Sequence, residues 1–211
     1  MTKLTLSLIV LLLNISVLTV TACAATQTFD VLSYHDVKDQ VDGDLDQDTT
    51  TLSTRNLARH FAWLQAHGYH PISIDDLLNA KSGIKPLPHK PVLLTFDDGY
   101  ASFYTRVYPL LKLYQYPAVA ALVGSWLEVA PDKTVQYGDE LVSRAHFLTT
   151  AQIKEMADSG LVEFASHSYD LHHGILANPQ GNMMAAAVTM QYDATSQAYE
   201  SPAQYRLRIK Q

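Results

Sequence analysis

Cysteine is almost missing from this sequence: Cys23 is the single one in 211 residues, so no intramolecular disulfide can staple the fold. A structural zinc site built on thiolates is excluded for the same reason. Basic residues are also short, with 15 Lys and Arg against 21 Asp and Glu and a formal net charge of −6. That balance gives no support for a nucleic-acid partner, which a basic face would announce. Charged residues make up only 17% of the chain while hydrophobic ones reach 47%, which excludes a disordered polymer and a multi-span membrane protein alike. Internal repeats and low-complexity runs are absent. What remains is enough chain for one domain with a sizeable core.

The one long apolar run is at the N-terminus. Met1-Thr2-Lys3 is a short positive start, Leu4 to Val20 is nearly all apolar, and small residues lead to Cys23. That is the layout of a secretory signal. Val20-Thr21-Ala22-Cys23 resembles a bacterial lipobox, in which cleavage before the cysteine leaves a thiol that is acylated. A plain signal peptide with an incidental cysteine, or an uncleaved anchor, is the competing reading. The lipobox is favoured because a lone cysteine would otherwise be an unpaired thiol in an oxidising compartment. Ala24 is compatible with outer-membrane sorting. The expected organisation is a signal peptide over 1–22, a lipid-anchored spacer over 23–28 and one domain over 29–211. The expected location is the outer membrane, periplasmic face, with a periplasmic or secreted protein as the alternative.

From Phe29 onward the pattern is that of an α/β domain. Phe29 to Tyr34 reads as a strand ending at His35-Asp36, and Val41 to Thr51 as an acidic, Thr-rich loop. Ser53-Thr54 opens a helix with Leu57, Phe61 and Leu64 on one face and Gly68 at its end. Ile72 to Ile74 reads as a short strand, and Asp75-Asp76 as structural residues suited to the N-terminal dipole of the next helix. Val92 to Phe96 is a continuous apolar run, as expected of a parallel strand buried on both faces. A helix over about Ser102 to Leu113 is interrupted by Pro109, which predicts a kink or an end there. Ala118 to Val123 and Leu161 to Ala165 read as further strands, with a helix between them that Thr149 and Gln152 open as a capping box. Strands alternating with helices predict a parallel sheet, with polar site residues at the strands' C-terminal ends. His35, Asp97, Asp98 and His167 all fall at such ends.

Two stretches carry chemistry. Thr95-Phe96-Asp97-Asp98-Gly99-Tyr100 places two carboxylates at the end of an apolar strand, where burial is costly without a cation or donors. Adjacent side chains diverge, so one can ligate a metal while the other handles protons. The bland reading is a solvated Asp-Gly turn. His167-Ser168-Tyr169-Asp170-Leu171-His172-His173 offers two or three imidazoles after a buried strand, a set that suits a divalent metal, or else a polar surface loop. One Asp and two His leave coordination positions open for water and substrate, as in catalytic rather than structural sites.

Together these motifs resemble the polysaccharide deacetylases of carbohydrate esterase family 4. The usual histidine pair there reads H-S/T-x-x-H; here His167 to His172 is one residue longer, and that spacing resembles the branch acting on poly-β-1,6-N-acetyl-D-glucosamine. Tyr34-His35-Asp36-Val37 and His172-His173-Gly174-Ile175-Leu176 look like that branch too. The resemblance implies a deformed (β/α) barrel of the NodB-like type. It implies Asp97 as general base, His35 as general acid, and Asp98, His167 and His172 as ligands of a divalent metal (zinc, nickel, cobalt or iron), with His173 the competitor of His172. The implied activity is hydrolysis of N-acetyl groups from the polysaccharide during biofilm exopolysaccharide export. The implied partners are the N-acetylglucosamine polysaccharide, the membrane through a lipidated Cys23, and an export machinery.

The remaining histidines, His60, His67, His70, His89 and His146, read as structural or solvated. Trp63 reads as core, and Trp126, which follows a strand, is a candidate sugar-stacking platform. Arg206 to Gln211 looks like the middle of an amphipathic helix with no Gly or Pro to close it, so the barrel is expected to be truncated at its C-terminus. The rival functions are a glycoside hydrolase using Asp97 and Asp98, a non-catalytic lipoprotein binding metal or glycan, and a metal-dependent phosphoesterase.

Overall fold

The alternating elements assemble around a parallel sheet. The computed structural model describes residues 28–39, 51–138 and 140–210. Strand β1 (Asp30–Tyr34) is followed by short strands β2 (Asp36–Lys38) and β3 (Thr51–Ser53), helix α1 (Thr54–Ala66), β4 (His70–Pro71), helix α2 (Ile74–Lys81) and β5 (Pro91–Phe96). A π-helical turn (Phe103–Val107) runs into α3 (Tyr108–Tyr114), then β6 (Ala118–Leu122) and the one-turn α4 (Gly124–Leu127). The hairpin β7 (Thr134–Tyr137) and β8 (Glu140–Ser143), helix α5 (Thr150–Asp158) and β9 (Val162–Ser166) complete the domain's centre. Two small hairpins, β10 (Gly174–Leu176) with β11 (Met183–Ala185) and β12 (Tyr192–Asp193) with β13 (Ala198–Tyr199), precede α6 (Pro202–Arg208).

The strand order is β1-β5-β6-β9, with β4 beside the first residues of β5, and every pairing in this sheet is parallel. The apolar run of β5 explains its central place. Val92, Leu94 and Phe96 bury into a core with Leu57 and Phe61 of α1 and Leu111 of α3, while Leu93 faces the other way against Ile72 and Val119, backed by Leu77 of α2. Alternate residues thus serve opposite faces, and helices cover both. This is the expected α/β architecture; among the described residues the sheet stays open, with no pairing that closes it into a barrel.

Four local readings change. The short strand is His70–Pro71 rather than 72–74, because Ser73 and Asp76 cap α2 reciprocally and draw Ile74 into the helix. The stretch around Pro109 is two helical pieces: the Tyr108 N–H reaches back to Phe103 O, and α3 restarts with Pro109 in its first turn, where a missing N–H costs nothing. Trp63 is not core; it is 51% exposed and stacks on His67 at 4.1 Å. Arg206 to Arg208 are the last turn of a short helix that Ser201 and Gln204 open by a capping box. The signal-peptide and Cys23 readings, and most of the 41–51 loop, lie outside the described residues. No helix among the described residues is long and apolar enough to cross a membrane.

Candidate metal centre and active site

Four parallel strands end on one side of the sheet, and the loops after them build the site. β1 delivers His35, β5 delivers Asp97 and Asp98, and β9 delivers His167. Asp98 and Gly99 both take left-handed backbone angles, φ 71° and 72°, which turn the chain sharply after Asp97. A non-glycine residue in that region is strained, and such strain concentrates at functional sites. Another left-handed non-glycine residue, Ser168 at φ 82°, follows His167. The Ser168 hydroxyl accepts the Leu171 N–H at 3.1 Å, folding the loop so that His172 returns toward His167.

Asp98, His167 and His172 each offer one ligand atom, and these atoms lie within 4.8 Å of one another. Asp98 Oδ1 is 3.1 Å from His172 Nε2 and 3.6 Å from His167 Nε2. Ligands about 2.0–2.1 Å from a tetrahedral zinc stand roughly 3.3–3.4 Å apart, so the spread of these donors fits one ion. The chemistry fits as well. Oδ1 is buried without a hydrogen-bond partner among the described residues, a costly state for a carboxylate oxygen unless a cation takes the position. His173 is not in this group; its carbonyl instead accepts the Ala186 N–H.

Electrostatics follow from this packing. Burial works to raise the Asp98 pKa, but contact with His172, the Tyr137 hydroxyl and the charge of His35 outweigh it, and the carboxyl is held below its ordinary value. The same Asp98 carboxylate raises His172 above the ordinary imidazole value against the effect of its own burial. Beside the trio, His35 Nε2 stands 3.9 Å from Asp97 Oδ2, and the Ser33 hydroxyl donates to that oxygen at 3.3 Å. The two aspartates have therefore parted company. Asp98 is fully buried toward the imidazoles, while the Asp97 side chain is 19% exposed beside His35. A glycosidase pair needs both carboxylates facing a sugar bond, and this geometry denies it.

Residues 84–209 match the polysaccharide deacetylase family. This chain belongs to that family. It is 47% identical to the poly-β-1,6-N-acetyl-D-glucosamine N-deacetylase of Escherichia coli strain K12 over 182 residues, which cover 86% of this chain and 27% of that protein. The chain therefore spans about a quarter of the length of this curated relative. Among solved structures, a de-N-acetylase from Aggregatibacter actinomycetemcomitans superposes with a TM-score of 0.79 at 41% identity, covering 85% of this chain and 69% of that one. The BpsB deacetylase domain from Bordetella bronchiseptica superposes with a TM-score of 0.74 at 45% identity, covering 86% and 70%.

In this family member several residues that the motifs do not announce support the site. Trp126 is buried and meets the His172 ring edge-on at 5.2 Å, so it backs that imidazole instead of presenting a face to sugar. Tyr137 donates to Asp98 Oδ2 at 3.0 Å. It comes from a hairpin whose first strand alternates, Thr134-Val135-Gln136-Tyr137, and is followed by the turn residues Gly138-Asp139, a legible strand-and-turn signal. The α4 loop is tied to the histidine loop by Gly124 N–H to Ser168 O at 3.1 Å and Ser125 N–H to Tyr169 O at 2.7 Å. Gly124 permits that approach, since a Cβ there would come within 2.8 Å of the Tyr169 ring. Gly124→Ala is expected to lose about 1–3 kcal/mol in a denaturant melt and to weaken metal binding by displacing the loop; wild-type values for both would refute this account. A cleft of about 730 Å³ opens beside the ligands, lined by His167, His172, His173, Leu171, Met183 and Met184.

Proposed function

We propose that this chain carries the catalytic domain of a metal-dependent poly-β-1,6-N-acetyl-D-glucosamine N-deacetylase that acts during biofilm exopolysaccharide export. The observation that carries the reading is the convergence of an orphaned carboxylate oxygen and two imidazoles beside a separate Asp–His pair. Asp98, His167 and His172 would hold a divalent ion, and their mixed donor set suits zinc, nickel, cobalt or iron. Such an ion supplies Lewis-acid polarisation of the acetamide carbonyl and acidifies a water. Asp97, steadied by Ser33, takes the proton from the attacking water. His35, adjacent to Asp97, gives a proton to the departing glucosamine nitrogen. The products are acetate and a free amine that becomes cationic on the glycan. The relatives named as N-deacetylases of this glycan support the substrate assignment.

The test is acetate release from β-1,6-linked N-acetylglucosamine oligomers with and without a chelator. Release that stops on chelation and returns with added metal is expected; release that ignores the chelator overturns the mechanism. Membrane attachment through a lipidated Cys23 belongs to the same proposal. Cys23→Ala is expected to move the protein from the membrane fraction to the soluble fraction, and an unchanged distribution would refute lipid anchoring.

A further inference from the structure

We propose that Tyr137 is a positioning residue for the metal centre, holding the Asp98 carboxylate so that Oδ1 alone is aimed between His167 and His172. The inference rests on the reading of these three residues as ligands.

Asp98 is a buried carboxylate with two chemically equal oxygens, and nothing intrinsic to it decides which one faces the imidazoles. The Tyr137 hydroxyl decides. It donates to Oδ2 at 3.0 Å, while Oδ1 lies 3.1 and 3.6 Å from the two histidines. One oxygen is thus satisfied by a neutral donor, and the other keeps its lone pairs for a cation. The phenol itself has little freedom to swing. Its ring centroid is 5.5 Å from Trp126, 5.5 Å from His172 and 6.0 Å from Tyr100. The hairpin holds it in register, with Tyr137 opposite Glu140 and Val135 buried below in a cluster with Trp126 and Phe147. One side chain therefore touches two of the three ligands, the carboxylate through its hydroxyl and His172 through its ring.

Ligating carboxylates elsewhere are themselves hydrogen-bonded, and loss of such a partner typically weakens metal binding 10–100-fold. Tyr137→Phe deletes the hydroxyl and keeps the ring. In the full chain it leaves Oδ2 buried without its donor and the carboxylate free to rotate. Zinc affinity measured by competition with a chromogenic chelator is expected to fall by about tenfold or more. The visible absorption of the cobalt(II)-loaded protein is expected to change, which a purely structural role would not produce. Val135→Ala loosens the same hairpin without touching Asp98 and should retain the wild-type cobalt spectrum. A wild-type zinc Kd and cobalt spectrum in Tyr137→Phe would overturn the role of Tyr137, as would equal losses in both variants. If the wild type itself bound no zinc, the ligand assignment would fall and this inference with it.

Discussion

Asp97→Asn is expected to lower the rate of acetate release about 10²–10⁴-fold, the usual worth of a general base, with metal affinity unchanged. Asparagine keeps the shape of the side chain and can still accept the Ser33 hydroxyl bond, but it cannot take a proton from water. Metal binding should survive because Asp97 is not one of the three converging donors; its near neighbours are His35 and Ser33. The loss should appear in kcat with KM little altered, since the group acts in the transition state. Full activity in this variant would remove Asp97 from the mechanism. A large loss of metal affinity would instead recast it as a ligand.

His167→Ala should abolish the metal response altogether. The side chain is 34% exposed, so its truncation leaves the core intact while removing one of three protein donors. An ion that binds the folded state at about 100 times its Kd stabilises it by about 2.7 kcal/mol. The wild type is therefore expected to show a zinc-dependent rise in melting temperature, with the metal-free His167→Ala protein melting close to the metal-free wild type. At the same zinc concentration the variant should show neither the rise nor acetate release. A zinc-dependent shift that persists in the variant would place the ion elsewhere.

Much of this arrangement was legible in the residues. The apolar run of β5 could only be satisfied by burial on both faces, which implied a parallel sheet. A parallel sheet gathers its strand C-termini on one side, so His35, Asp97, Asp98 and His167 were expected on the same side of the sheet. The choice between His172 and His173 was open in the sequence, because neighbours in a loop can each face the same point. The left-handed Ser168 and its hydroxyl bond to Leu171 bring His172, and not His173, back to Asp98. Trp63 misled for a helical reason: Leu57, Phe61 and Leu64 form the buried stripe, and a residue one step from Leu64 is rotated about 100° away from it.

The sequence by itself determined the fold class, the family resemblance and five candidate site residues, because strand burial and motif spacing are properties of neighbours along the chain. Only the tertiary structure decided the orientation of Asp98, the approach of His172 to it, the backing of that ring by Trp126 and the presence of Tyr137 at the carboxylate. Tyr137 is 39 positions from Asp98 in the chain, yet its hydroxyl reaches Oδ2 at 3.0 Å. Contacts of that kind depend on how separate elements pack, and no local pattern encodes which side chain a hairpin will carry into a site built by other strands.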